Sequence, residues 1–165
     1  MMVEQFRKTS EPVLAAAGGE LNPHQLLTLA SIIEKETGVE SERQLVAGVF
    51  HNRLGRRMPL QSDPTVIYGL KDFDGNLRRK DLRDPNPYNT YVIPALPPGP
   101  ICNPGLASIK AAAEPAEVSY LYFVSKNDGT HHFSASLSEH VREVKRYQQS
   151  GTTAAMTQQN GTKRR

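Results

Sequence analysis

Prolines concentrated in the middle of the chain limit the fold more than any other feature of this sequence. The chain has 165 residues and 12 prolines, most of which lie between residues 59 and 104. Proline removes a backbone N–H and pushes the preceding residue towards extended backbone, so we expect ordered loops here and no regular helix. Tyr88, Tyr91, Val92 and Ile93 make the segment too apolar for a solvated linker. Long ordered loops of this kind often form one wall of a binding site.

Helix and strand patterns flank these loops. Asn22-Pro23 is a helix cap followed by a proline in the first turn, and apolar residues then recur at helical spacing as far as Gly38. A second helix over 41–55 follows after a short connection, which predicts a helical hairpin. Further helices are predicted over 3–17, 106–114 and 136–149, and two strands over 119–125 and 130–134. The fold class is α+β: the helical hairpin packed with a small antiparallel sheet and long Pro-rich loops.

The same patterns predict three parts of the chain. Residues 1–21 form an N-terminal appendage helix or linker, which Pro12 interrupts and a Gly-Gly pair ends. Residues 22–149 form the main body. Residues 150–165 lack a strong pattern and are predicted to be a disordered tail.

Composition excludes several classes of protein. The chain has 20 Lys and Arg against 17 Asp and Glu, a net charge of +3 that is too small and too scattered to indicate nucleic-acid binding. Its single cysteine, Cys102, can form no internal disulfide and no Cys-rich zinc site. No apolar run approaches the roughly 18 residues of a membrane span, and the first residues lack a signal-peptide pattern. We therefore expect a soluble body.

Metal and phosphate chemistry have little support in the sequence. The five histidines show neither HExxH spacing nor a cysteine partner pattern, so neither a metal nor a cofactor is expected. No glycine-rich phosphate-binding loop is present. Nothing near Cys102 would stabilise the thiolate that a nucleophilic cysteine requires.

Two carboxylates near the end of the first strong helix are candidates for acid–base chemistry. At 100° per residue, with Leu26 at zero, Glu36 falls at about 280°, between Leu29 and Ile32 on the buried side. Glu34 falls at about 80°, away from that pair. A carboxyl group bordered by apolar side chains has a raised pKa and can donate a proton near neutral pH. The alternative is that both are solvated residues of a last helical turn.

The proline-rich loops carry a second candidate feature. Amides, hydroxyls and tyrosine rings in 60–69 and 87–91 fit a saccharide, which offers hydroxyl groups for hydrogen bonds and an apolar face for stacking. The alternative for Ser62 and Asp63 is an Asx-type turn or a helix cap. Tyr88 and Tyr91 could equally be core residues.

Several motifs together resemble one known family. The stretches ASIIEKETG, VFHNRL, LQSDPTVIYGL, NPYNTYVIPALPPGPICNPG and YLYFVSKNDGTHHFS are similar to the catalytic domain of the YceG-like (MltG) family of endolytic murein transglycosylases. The resemblance runs from about residue 22 to 147 and makes 22–149 the catalytic domain. It implies cleavage of the β-1,4 bond between N-acetylmuramic acid and N-acetylglucosamine in nascent peptidoglycan. The products would carry 1,6-anhydro-muramic ends, with one Glu acting first as acid and then as base.

The resemblance also implies roles for particular residues. Glu36-Thr37 resembles the Glu-Ser pair that ends the catalytic helix of other lytic transglycosylases, so Glu36 is the expected catalytic residue, with Glu34 in reserve. Asn52 and Arg53 would brace the glycan cleft from the next helix. The substrate-binding set implied by the family is Asn52, Gln61, Ser62, Asp63, Tyr88, Asn89, Thr90 and Tyr91.

Partners and location follow from the same resemblance. The expected partners are peptidoglycan glycan strands and, as a candidate, the cell-wall synthesis machinery, with no nucleic acid. Full-length members resemble proteins of the extracytoplasmic (periplasmic) face of the bacterial inner membrane, with an N-terminal anchor and a LysM-like region. This chain has neither, so we expect a fragment or a naturally shortened member. Two alternatives remain open: a lysozyme-like glycan hydrolase with Asp63 as second carboxylate, and a non-catalytic peptidoglycan-binding module.

Overall fold

A computed structural model describes residues 2–16 and 19–159 of the chain. Helices dominate the described residues, together with a single turn of 3₁₀ helix at Asp81–Arg83 and a two-stranded antiparallel sheet. The α+β class expected from the sequence is confirmed. The elements are α1 (Met2–Ala16), α2 (Pro23–Glu36), α3 (Glu40–Gly55), α4 (Asp63–Gly69), α5 (Leu106–Ala113), β1 (Tyr122–Ser125), β2 (His131–Ser134) and α6 (Leu137–Gln159).

The chain divides into two compact units, Met1–Val118 and Ser119–Arg165. In the first unit, α2 is central and packs against α1, α3, α4 and α5. Its side chains Leu29, Ile32 and Ile33 are fully buried, as the helical periodicity predicts. In the second unit, α6 packs on the β1–β2 hairpin. The main body over 22–149 stays a prediction, and residues 118 and 119 within it belong to different units.

Helix α2 begins with the cap predicted from the sequence. Asn22 Oδ1 accepts from the Gln25 N–H at 3.0 Å, and Gln25 Oε1 accepts from the Asn22 N–H at 2.9 Å. This reciprocal capping box fixes the start of the helix. The helix ends where Thr37 turns to extended backbone, with φ −143° and ψ 136°. Glu36 is therefore the last helical residue, at the point where the chain turns towards α3.

A short connection over residues 37–39 joins α2 to α3 and confirms the helical hairpin. The Thr37 hydroxyl accepts from the Val39 N–H at 3.0 Å and lies 3.4 Å from Glu42 Oε2. Further along α3, Gly48 contacts the backbone of the 116–118 segment, where a Cβ would lie 2.6 Å from the Ala116 carbonyl oxygen. A side chain at position 48 would therefore prevent this close approach.

Helix α4 contradicts the expectation that the proline-rich segment contains no regular helix. Pro64 lies in its first turn, where no intrahelical N–H is needed, so the proline starts the helix instead of breaking it. The Thr65 N–H bonds to the Ser62 carbonyl oxygen at 3.1 Å and closes this turn. Ser62 occupies the N-cap position of α4, but its side chain makes no capping hydrogen bond.

The two ends of the chain also differ from expectation. Helix α1 is continuous through Pro12 and packs against α5 and α2, with Leu14 and Ser10 buried, so it is part of the first unit. Helix α6 spans Leu137–Gln159 and so extends beyond the 136–149 helix expected from the sequence. The segment after Gly151 contains no proline, and Ala, Met and Gln favour helix. Residues 160–165 of the expected tail lie outside the described residues.

No helix within residues 2–16 or 19–159 is long and apolar enough to cross a membrane.

Candidate active site

Glu36 lies at the centre of the candidate site. Its side chain is half-buried, and its Oε1 accepts a hydrogen bond from the Ser62 hydroxyl. Ser62 immediately precedes α4, so this bond joins the end of α2 to the start of the short helix in the proline-rich segment. The two helices also pack against each other. The carboxyl group is thereby held in one orientation next to the loops that were expected to face a ligand.

Buried hydroxyl groups hold Ser62 itself. Its N–H donates to Thr90 Oγ1 at 3.0 Å, and its carbonyl oxygen accepts from Thr65 Oγ1 at 2.7 Å. The hydroxyl oxygens of Thr65 and Thr90 lie 2.8 Å apart, which closes the network. Thr65 and Thr90 are fully buried, and Ser62 is 1% exposed. We call these three residues the hydroxyl cluster, and it fixes the atoms around Glu36 Oε1.

Tyr91 and Asp63 form a hydrogen-bonded pair on the more open side of the site. The Tyr91 hydroxyl donates to Asp63 Oδ1 at 2.6 Å. Burial is the main cause that raises the pKa of Tyr91 above its usual value, followed by the hydrogen bond to Asp63 and the charges of Asp63 and Glu36. The charge of Arg53 opposes this shift. The Tyr91 hydroxyl is therefore neutral, and it lies within electrostatic reach of both carboxylates.

Arg53 shapes the loop that leads to Ser62. This buried residue of α3 donates through Nη1 to the carbonyl oxygens of Pro59 and Leu60, at 2.9 and 3.0 Å, and to Gln61 Oε1 at 3.2 Å. Gln61 has a positive φ of 55°, a conformation that non-glycine residues seldom adopt. Its N–H bonds to the Thr90 carbonyl oxygen at 3.0 Å. Arg53 thus braces the 59–61 loop, and Gln61 is exposed.

Asn89 and Thr90 were expected to line a glycan cleft, and the structure places both side chains in the interior instead. Asn89 Nδ2 donates to the carbonyl oxygens of Asp81 and Asp84, at 3.2 and 2.9 Å, and its Oδ1 accepts from the Tyr91 N–H at 2.9 Å. Both residues are fully buried. A buried amide with three partners holds the loop together and has no free surface for a ligand.

Two other expected binding residues, Asn52 and Tyr88, are half-buried and have partners of their own. Asn52 donates to the Val118 carbonyl oxygen at 2.7 Å, so it supports the end of the first unit. Tyr88 packs its ring against Tyr68, with centroids 4.8 Å apart and planes at 53°. Tyr68 is 52% exposed and lies in the 60–69 segment that was expected to fit a saccharide, although it was not named in the substrate-binding set.

Glu34 has different partners from Glu36. Its Oε2 accepts from the Ser108 hydroxyl at 2.6 Å and from the Gly105 N–H at 3.2 Å. Gly105 is the N-cap of α5 and Ser108 lies in its first turn. A carboxylate at a helix N-terminus compensates backbone N–H groups that have no partner within the helix. Glu34 therefore joins α2 to α5, while Glu36 joins α2 to α4.

Metal and thiol chemistry gain no support from the described part of the chain. There, no group of three or more His, Cys, Asp and Glu side chains is arranged to hold a metal ion. His24 Nε2 lies 2.9 Å from the Pro98 carbonyl oxygen, and His51 Nε2 lies 2.8 Å from that of Ala112. The Cys102 thiol donates to the Ser31 carbonyl oxygen at 3.3 Å, and burial raises its pKa. A raised pKa disfavours a nucleophilic thiolate.

Comparisons with known proteins agree on one family. The model of the YceG-like family matches residues 1–146. An endolytic murein transglycosylase of Bacillus subtilis is 43% identical over 128 residues, which cover 78% of this chain and 36% of that protein. A protein of the same name from Streptococcus pneumoniae is 35% identical over 130 residues, covering 75% of this chain and 24% of that protein.

A solved structure matches the fold as well. A crystal structure of a yceG-like protein from Listeria monocytogenes aligns with a TM-score of 0.69 and 39% identity, covering 86% of this chain and 43% of that one. This chain spans about a third or less of the curated relatives that it matches. The family model matches residues 1–146, which is most of the chain, and this match establishes the family although the chain covers only part of each relative. The chain belongs to the YceG-like family.

Proposed function

We propose that this chain is an endolytic peptidoglycan lytic transglycosylase, with Glu36 as its single acid and base. The observation that carries the proposal is the position of the Glu36 carboxyl group, held by Ser62 at the end of α2. The charge of Glu36 also acts on Tyr91, which donates to Asp63. The names of the relatives from Bacillus subtilis and Streptococcus pneumoniae support the same reaction.

The reaction needs one carboxyl group twice. Protonated Glu36 donates its proton to the glycosidic oxygen as the bond between C1 of N-acetylmuramic acid and that oxygen breaks. The resulting Glu36 carboxylate then removes the proton from the C6 hydroxyl of the same sugar. The C6 oxygen attacks C1 and closes the 1,6-anhydro ring, so the proton returns to Glu36 and no water is consumed. In most glycoside hydrolases a second carboxylate activates water or attacks the sugar.

The partners of the two glutamates favour Glu36 over Glu34. Both oxygen contacts of Glu34 are made by its Oε2 to the first turn of α5, where a negative charge stabilises the helix. The charge of Glu36 acts instead on Tyr91, whose hydroxyl donates to the exposed Asp63. Both side chains are half-buried, so the preference rests on these partners and not on exposure.

Exposed polar and aromatic groups near Glu36 form the proposed glycan surface. Gln61 and Asp63 are exposed, and Tyr91 is half-buried. The Tyr68–Tyr88 ring pair adds an apolar surface of the kind that stacks on sugar rings. We place the catalytic region within residues 22–149 and the substrate outside the cytoplasm, where peptidoglycan lies.

Product analysis tests the reaction. Purified glycan strands are incubated with the protein, and the new ends are identified by mass spectrometry. We expect 1,6-anhydro-muramic ends. Reducing ends only would indicate a hydrolase, and binding without cleavage would indicate a binding module.

Matched variants test the assignment of the acid. Glu36→Gln should abolish cleavage while glycan binding in a pull-down persists, because the amide keeps the shape but cannot donate a proton. Glu34→Gln should retain cleavage. The reverse pattern would contradict the choice of Glu36.

A further inference from the structure

The Ser62 side chain does not perform the local role that its position predicts. Serine at a helix N-cap normally accepts a hydrogen bond from a backbone N–H in the first turn. Ser62 is the N-cap of α4, yet its side chain makes no capping hydrogen bond. Its hydroxyl donates instead to Glu36 Oε1, a residue 26 positions earlier in the chain. The Ser62 hydroxyl thus bonds to the candidate acid, Glu36, in place of a backbone N–H of α4.

The sequence predicts Ser62 as a glycan ligand, but its side chain is buried and faces Glu36. It is 1% exposed, and its hydroxyl is engaged with Glu36. Its backbone N–H and carbonyl oxygen are bonded to the threonine hydroxyls of the cluster. The two backbone contacts fix the position of Ser62, and the third contact directs its hydroxyl towards the carboxyl group. Any effect of this side chain on a reaction must therefore pass through Glu36.

We propose that Ser62 is the positioning residue of Glu36, and that the hydroxyl cluster with Thr65 and Thr90 exists to hold it in place. This inference rests on the proposed function. The Ser62 hydroxyl fixes the rotation of the carboxyl group about its last bond, so the group meets the glycosidic oxygen in one orientation. It also stabilises the carboxylate that forms after the first proton transfer, which is the base of the second step.

The direction of the electrostatic effect follows from the donor. A hydroxyl that donates to a carboxylate favours the ionised form, so its loss raises the pKa of the carboxyl group. Asp63 at the start of α4, Arg53 of α3 and Glu36 itself all act electrostatically on Tyr91. Lys35 and Glu34 are neighbours of Glu36 on α2. Removal of the Ser62 hydroxyl leaves all of these charged side chains in the protein.

The test compares two serines that each donate to a glutamate of α2. Ser62→Ala removes the donor of Glu36, and Ser108→Ala removes the donor of Glu34. We expect Ser62→Ala to lower kcat by about 10- to 100-fold with KM changed by less than about twofold, since misplacement of a catalytic group costs about this much. The falling limb of kcat/KM should move to higher pH by about one unit, because the acid must be protonated in the free enzyme. Ser108→Ala should keep the wild-type kcat and pH profile.

Three results would overturn the proposal. Unchanged kcat and pH profile in Ser62→Ala would show that the hydroxyl has no role through Glu36. A rise in KM alone would make Ser62 a glycan ligand. An equal loss of activity at every pH would indicate a purely structural residue.

A direct titration separates this proposal from the proposed function. The pKa of Glu36 is measured by ¹³C NMR of its side-chain carboxyl in the wild-type protein and in Ser62→Ala. We expect a rise of about one unit whether or not the protein cleaves glycan, and an unchanged pKa would refute the positioning role. Failure of the proposed function would appear separately, as a wild-type protein that forms no anhydro ends. Should Ser62→Ala not fold, Ser62→Cys keeps the side-chain shape with a weaker donor, and the same shift in smaller size is expected.

Discussion

Removal of the Glu34 side chain should destabilise the protein without removing its activity. Glu34 Oε2 accepts two hydrogen bonds, from the Ser108 hydroxyl at 2.6 Å and from the Gly105 N–H at 3.2 Å. Ser108 is fully buried, so Glu34→Ala leaves its hydroxyl without this acceptor. Hydrogen bonds to charged groups contribute about 1.5–3 kcal/mol, and an unsatisfied buried donor costs a similar amount. We expect a loss of about 3 kcal/mol in the free energy of unfolding.

The expected loss corresponds to a measurable shift in melting temperature. For a chain of this length, 1 kcal/mol shifts Tm by about 2–4 °C, so Tm should fall by about 6–12 °C. Glu34→Gln keeps an acceptor oxygen and should lose only about 1 kcal/mol. Circular dichroism gives Tm, and glycan cleavage is measured well below Tm and expressed per folded molecule. An unchanged Tm in Glu34→Ala, or a folded variant that no longer cleaves, would refute this assignment of Glu34.

Two further variants test the packing that supports the site. Gly48→Ala places a Cβ 2.6 Å from the Ala116 carbonyl oxygen and 2.8 Å from Val118 Cγ2, and we expect a loss of about 1–3 kcal/mol in urea denaturation. Gly55→Ala is its control, because no atom lies within 4 Å of the added Cβ, and equal losses in both variants would contradict the explanation. Asn89→Ala removes three hydrogen bonds from a buried loop anchor, and its urea midpoint should fall by the equivalent of about 2–4 kcal/mol. A wild-type midpoint would show that the loop does not depend on this amide.

Local patterns in the sequence were enough to predict most of the regular structure. The Asn22 capping box with Pro23 is formed by residues three positions apart, so it can be recognised without tertiary contacts. The β1–β2 hairpin can be predicted from alternating apolar residues on either side of a turn. In the structure Val124 pairs with His132, as an antiparallel hairpin requires. Helix α4 was missed because proline density was treated as excluding helix, whereas Pro64 lies where proline is tolerated.

The candidate site could be predicted only in part, since its contacts join distant parts of the chain. The helical projection separated Glu34 from Glu36, and the two residues do contact different elements. Neither partner serine could be inferred, because periodicity describes one helix and says nothing of what packs against it. The burial of Asn89 and Thr90 could not be predicted from the local sequence either. Their polar character suggested a binding surface, while their burial depends on contacts that the local sequence does not reveal.

The most direct test of the central claim is a crystal structure of Glu36→Gln with an uncleaved glycan strand. This variant should bind substrate without turnover, so the scissile bond remains in place. We expect the glycosidic oxygen within hydrogen-bond distance of the side chain at position 36, with the muramic acid ring beside Tyr91. A strand whose glycosidic oxygen lies closest to Asp63 or Glu34 instead would contradict the account.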